Sequence, residues 1–171
     1  MISLYHPNKS NTGSACSFSQ NAKDGTIWAA LVKQDTWDAE KRIGSFLGSR
    51  GNPEKHINIK LGVAEVGAIL DALDRFRPFS TVHVTDKDTK SINFSLWLSK
   101  PDKPEDQPVP KGYSFVITLT NKEDTTKKTP FYIALTFGEG RLIREFLIYS
   151  LQKAFEINQE NYAASQDAPT Q

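Results

Sequence analysis

Three tryptophans and a scatter of basic side chains are the residues of this chain whose types and spacing point to chemistry. Trp28 lies in the run Thr26 to Gln34, Trp37 just beyond it, and Trp97 in the run Ser91 to Ser99. Lys33, Arg42, Arg50, Lys55 and Lys60 fall on or near strand-like stretches. Indole rings stack on unpaired bases, and ammonium or guanidinium groups neutralise phosphates; a single-strand binder combines the two. The same aromatics fit a self-association or protein interface equally well. Trp37 and Phe46 have a further alternative as core residues, and singly Arg42 and Arg50 also fit solvated surface charge.

Side chains for catalysis are poorly placed by comparison. His6, His56 and His83 show no His-Glu-x-x-His spacing, although His56 and His83, on separate strands, could meet on one polar face. The single cysteine, Cys16, sits in an alternation of small and apolar residues and reads as a buried thiol. It cannot build a multi-thiolate metal site. Phosphate-cradling glycine motifs and Gly-x-Ser-x-Gly are missing. Adjacent carboxylates, Glu105-Asp106 and Glu123-Asp124, lie in polar loops. No catalytic residue, metal or cofactor is expected.

The elements that must position these residues follow from periodicity. In the first half, Ser14 to Gln20 alternates, with Cys16 and Phe18 on one face. Asp24-Gly25 signals a hairpin into Thr26 to Gln34. There Ile27, Ala29 and Leu31 fit a core face and Trp28, Ala30 and Val32 the other, but both faces are apolar and the phase stays open. Arg42 to Ser49 is a weaker third strand, and His56 to Leu61 a clean fourth. Val63, Val66, Ile69, Leu70, Leu73 and Phe76 recur at helical spacing until Arg77-Pro78. In the second half, Thr81 to Thr85 alternates and is assigned with Thr81, His83 and Thr85 outward. Ser91 to Ser99 follows, with Ile92, Phe94, Leu96 and Leu98 inward and Asn93, Ser95 and Trp97 outward. After the proline-rich loop Pro101 to Pro110 come strands at Tyr113 to Thr120 and Phe131 to Phe137. A helix from Gly138 then carries Leu142, Ile143, Phe146, Leu147, Leu151 and Phe155.

The pattern predicts an α+β fold of two β4α repeats: two antiparallel four-stranded sheets packed with two helices. Residues 1–157 form one domain of two halves, about 14–77 and 80–157, and 158–171 a flexible tail. Trp28 and Trp97 fall on corresponding strands, each the second of its half. At 171 residues the chain can bury roughly 70% of its unfolded surface without staples. Its net charge is +1, from 21 basic and 20 acidic residues, which excludes the strongly basic footprint of many duplex-DNA binders. Setting aside the two carboxylates of the tail, Glu160 and Asp167, leaves the body at about +3. The longest apolar run, Ile27 to Val32, is far short of the ~20 residues of a membrane span, and no membrane partner is expected.

The doubled β4α pattern with an aromatic polar face resembles the Whirly superfamily. That group includes plant Whirly proteins, trypanosome guide-RNA-binding proteins and the coactivator positive cofactor 4 with its phage relatives. Lys23-Asp24-Gly25-Thr26-Ile27-Trp28-Ala29-Ala30-Leu31-Val32, with Trp37 downstream, is similar to the coactivator's Lys-Gly-Lys hairpin, apolar strand and following Trp. His56 to Leu61 is similar to its fourth strand. The Lys-Gly-Lys-Ala-Ala-Leu signature of plant Whirly proteins is absent, and the hairpin here carries an acid, Asp24, and lacks the second Lys.

Over about residues 14–157, the resemblance implies sequence-independent binding of single-stranded DNA across the sheet faces. Trp28, Trp37, Trp97, Lys33, Arg42, Arg50, Lys55 and Lys60 would be the contacts. Replication, recombination, repair and transcription are the implied settings. RNA is the alternative nucleic acid, and a non-enzymatic oligomeric interaction module is the alternative function. A homo-oligomer is expected by the same resemblance. The N-terminus, Met1 to Gln20, reads as neither signal nor transit peptide, so the expected location is cytoplasmic, in a bacterial or phage-infected cell.

Overall fold

The computed structural model describes residues 1–100, 103 and 107–166, with side chains to residue 163. The proline-rich loop falls partly outside the described residues. The first sheet is an antiparallel meander of β1 (Ile2–His6), β2 (Ser14–Gln20), β3 (Ile27–Lys33) and β6 (His56–Leu61). Between β3 and β6 stands a small hairpin, β4 (Thr36–Asp38) and β5 (Ile43–Ser45), followed by a 3₁₀ turn at Leu47–Ser49. The second sheet is the meander β7 (Phe79–Val84), β8 (Asp88–Leu98), β9 (Pro110–Asn121) and β10 (Lys128–Thr136). Helix α1 (Val63–Arg75) follows the first sheet and α2 (Phe137–Gln166) the second.

Two α+β repeats are therefore present, with one expected strand misplaced. Arg42 to Ser49 does not join the first sheet; Ile2–His6 does, pairing Ile2 with Phe18 and Leu4 with Cys16. That segment alternates Ile2 and Leu4 against Ser3 and Tyr5, a period-2 signal too short to stand out beside the chain start. The shift breaks the expected correspondence of tryptophans. Trp28 lies on the third strand of its sheet and Trp97 on the second of the other. Residues 158–166, expected as part of a tail, continue α2.

Inner faces of both sheets and both helices share one core. Phe18, Phe94, Phe115 and Phe131 are fully buried with Ile69 of α1 and Ile143 and Leu147 of α2. Phe18 stacks on Phe115 at 5.7 Å between ring centroids, joining the two sheets. Each such side chain contributes about 1.5–3 kcal/mol of burial. Cys16 is buried in this core as expected, and desolvation, aided by the charge of Glu139, pushes its thiol up to about 12.

The halves are tied crosswise. On β7, His83 reaches Glu65 at the third position of α1, 2.7 Å away. His6 on β1 reaches Glu139 near the start of α2, 2.6 Å away. Each first-strand histidine thus holds the helix of the other half. Each glutamate also accepts a main-chain N–H at its helix start, from Gly62 (2.8 Å) and Thr136 (2.7 Å). Partial burial raises both carboxyls, but these N–H groups and the histidines more than offset it, so both lie below the usual carboxylate range. Thr81 and His83 therefore face inward toward α1, against the expected phase of that strand. Outward positions are Ser80, Val82 and Val84, since Phe79 pairs with Phe94 and Thr81 with Ile92.

Candidate nucleic-acid interface

Strand register resolves the ambiguous phase of β3. Ile27, Ala29 and Leu31 are buried, so Trp28, Ala30 and Val32 face out. Three rows then cross the outer face of the first sheet. Ser19, Trp28 and Lys60 form one; Ser3, Ser17, Ala30 and Asn58 the next; Tyr5, Ala15, Val32 and His56 the third. Small side chains in the middle leave a shallow floor, and the aromatic and basic groups stand at its margins. Trp28 is 38% exposed and directly opposite the exposed Lys60.

The β4–β5 hairpin overhangs one end of this face. Phe46 meets Tyr5 with ring centroids 5.7 Å apart, and Arg50 is exposed beside them. A cavity of about 300 Å³ lies there, lined by Tyr5, Ala30, Val32, Phe46, Arg50 and His56 among others. Ala15 is buried although it is on the outer side of the sheet. Gln34 anchors the overhang: it is 3% exposed, accepts from the Asn8 N–H, and donates to the carbonyls of Asn8 and Thr36.

The expected contacts separate in the structure. Trp28, Lys60 and Arg50 border the first outer face. Lys33 does not share it: it falls on the inner phase of β3, its ammonium 4.7 Å from the centroid of Phe131. Lys55 is paired with Asp35 at 2.9 Å. Lys33 and Lys55 instead line a cleft of about 410 Å³ at the seam of the two sheets, with Asn11, Ser14 and Tyr132. Tyr132, on β10, is 47% exposed. Trp37 is half-buried on the hairpin, and Arg42 occupies its turn with a left-handed backbone (φ 56°).

Trp97 is on the other sheet, 36% exposed, opposite Gly112 beside a bulge. Its outer face carries Ser80, Val82, Ser91, Asn93, Ser95, Ser114, Val116, Thr118, Tyr132 and Ala134, with Lys128 at one end. His56 and His83 do not meet, because one faces out from the first sheet and the other lies against α1. Tyr5 escaped the sequence reading as a site residue because its strand is too short to stand out. The basic side chains near the first face include one opposed neighbour: Asp24 of the β2–β3 loop feels the charge of Lys60.

Two β-meanders, each followed by a helix and closed on one core, define a Whirly-type α+β fold. Three solved structures carry the likeness. WHY3 from Arabidopsis thaliana is 16% identical with a TM-score of 0.61, covering 98% of this chain and 94% of that one. WHY1 from the same plant is 15% identical with a TM-score of 0.60, covering 99% and 94%. The plant transcriptional regulator PBF-2 is 15% identical with a TM-score of 0.59, covering 99% and 88%. At these identities the likeness is one of fold. No protein-family model and no curated protein matches the sequence. No helix among the described residues is long and apolar enough to cross a membrane.

Proposed function

We propose that this chain is a non-catalytic binder of single-stranded nucleic acid, with DNA as its ligand. The observation that carries the reading is the outer face of the first sheet, where exposed aromatics and unburied cations border a floor of small side chains. A strand can run along β3, from the Trp28–Lys60 row, over Ala30, to Val32, His56 and Arg50. Lys33, Lys55 and Tyr132 extend that track at the seam. Bases stack on the rings without base-specific contacts, and the cations contact phosphates. His6 and His83 are each committed to a glutamate, and the Cys16 thiol is buried and pushed up to about 12, so these three groups serve the fold. Regulation of transcription, replication or repair is the setting such binding fits.

A second reading rests on the second sheet. Its outer face is nearly uncharged and exposes Val82, Val84, Trp97 and Tyr132, which suits contact with another copy of the chain. The two readings draw on different sheets and meet at Tyr132, which both use.

Titration of intrinsic tryptophan fluorescence with a roughly 30-nucleotide oligo-dT, at low and high salt, tests the first. Saturable quenching whose affinity falls steeply with salt is the expected result. Absence of quenching at low salt by the folded protein, with no binding to the matching RNA, would remove the reading.

A further inference from the structure

We propose that the Tyr5–Phe46 pair and Arg50 form a clip for two consecutive nucleotides of the bound strand. This inference rests on the single-strand reading and adds a register to it. Tyr5 and Phe46 make a ridge, rings 5.7 Å apart and tilted by 56°. A cavity lies on each side of that ridge. On the sheet side is the 300 Å³ hollow lined by Ala15, Ser17, Ala30, Val32 and His56 among others. On the hairpin side is a second hollow of about 360 Å³, bordered by Pro7, Ile43 and Leu47. Tyr5, Phe46 and Arg50 line both.

Each hollow offers an apolar wall and an aromatic side, which is what an unstacked base requires. Both are at the small end of the ~300–1,000 Å³ of ligand sites, a scale that suits one base each and no folded segment. Arg50 is exposed and has no ion-pair partner among the described residues, so its guanidinium is free for the phosphate that links the two bases. Ser17 and His56 lie on the sheet side only, and Ile43 and Leu47 on the hairpin side only. The sheet-side base therefore meets Ser17 and His56, and the hairpin-side base meets mainly aliphatic surface, with Ser45 also in the lining.

The clip is preorganised. Its arms come from β1 and from the hairpin, and the buried Gln34 amide joins the bases of both through Asn8 and Thr36. The Asp35 N–H donates to the Ser45 carbonyl (2.8 Å), and the Asp35–Lys55 pair closes the far end. An aromatic ridge held this way loses little rotamer freedom when a base docks.

Photocross-linking separates the clip from the broader reading. An oligo-dT carrying 5-iodouracil is irradiated on the wild-type protein, and the cross-linked residues are mapped by mass spectrometry. Adducts on Tyr5 and Phe46 support the clip. Adducts confined to Trp28, Trp97 or Tyr132, with salt-sensitive binding intact, overturn it and leave the single-strand reading standing. No binding at low salt removes both. Arg50→Gln, at an exposed position, should still fold and bind while lowering the magnitude of the log–log salt slope by about 0.7. An unchanged slope would overturn the role given to Arg50. Phe46→Ala should weaken binding at least about fivefold.

Discussion

Lys33 shares a strand with Trp28 and Lys60 lies on the strand beside it, yet register gives the two lysines different surroundings. Lys60 stands opposite Trp28 on the open face, whereas Lys33 lies over the Phe131 ring at the seam. Lys60→Ala should weaken single-strand binding and lower the magnitude of the salt slope by about 0.7, since one fewer phosphate is neutralised. Asp24 works in the opposite sense, because its carboxylate offsets the field of Lys60. Asp24→Asn keeps the oxygen that accepts the Thr26 N–H and removes the charge, so affinity at low salt should rise. Equilibrium titrations of both variants over a range of salt concentrations check the pair. A fall in affinity for Asp24→Asn would show that the loop charge does not oppose the ligand.

Helix starts are where elements of the two halves meet. Glu65 and Glu139 each cap their own helix and hold a histidine from the other half. Their folded values lie below the usual range, so the ionised form is the one the fold favours. That stability is present above about pH 4.3, the ordinary Glu value, and is lost as pH falls through the lowered folded values. Thermal melts between pH 7 and pH 3 should show this acid limb, flattened in Glu65→Gln and in Glu139→Gln. At pH 7 each substitution should cost on the order of 1 kcal/mol, as loss of a cap does.

Glycines in the two helices should respond in opposite directions. A Cβ on Gly140 would collide with the ring of Tyr113, whose hydroxyl donates to the Leu73 carbonyl at 2.9 Å and so pins the ring. Gly140→Ala should destabilise by about 1–3 kcal/mol through overpacking. Gly67 on α1 has open space at that position, and Gly67→Ala should stabilise by roughly 0.5–1 kcal/mol. Denaturant midpoints measure both.

For the whole molecule, the two halves share one core. Phe18 of the first sheet needs Phe115 of the second, and each helix start is held by a strand of the other half. The Asp74–Arg144 pair, bidentate at 2.5 and 3.2 Å, links α1 to α2. Residues 1–77 expressed alone should therefore give no cooperative unfolding transition by circular dichroism, while the full chain melts as one unit. A cooperative melt of that fragment would mean that the halves are independent domains.

By itself the sequence determined most of the fold: two meanders and two helices follow from alternation and from helical spacing, because burial of one face imposes those periods. It also named Trp28 and Lys60 among eight expected contacts, and the register of β3 and β6 places those two opposite one another. Tertiary structure alone decided the rest. Whether β3 turns Trp28 or Ile27 outward was undecidable where both faces are apolar, and register against Leu61 and Lys60 settled it. His83 looked like an outward polar residue because alternation gives a period but no absolute phase; packing against α1 set the phase. The Tyr5–Phe46 contact spans residues far apart in the chain, and no local pattern encodes such proximity. It arises only when the core fixes the first strand and the hairpin against each other.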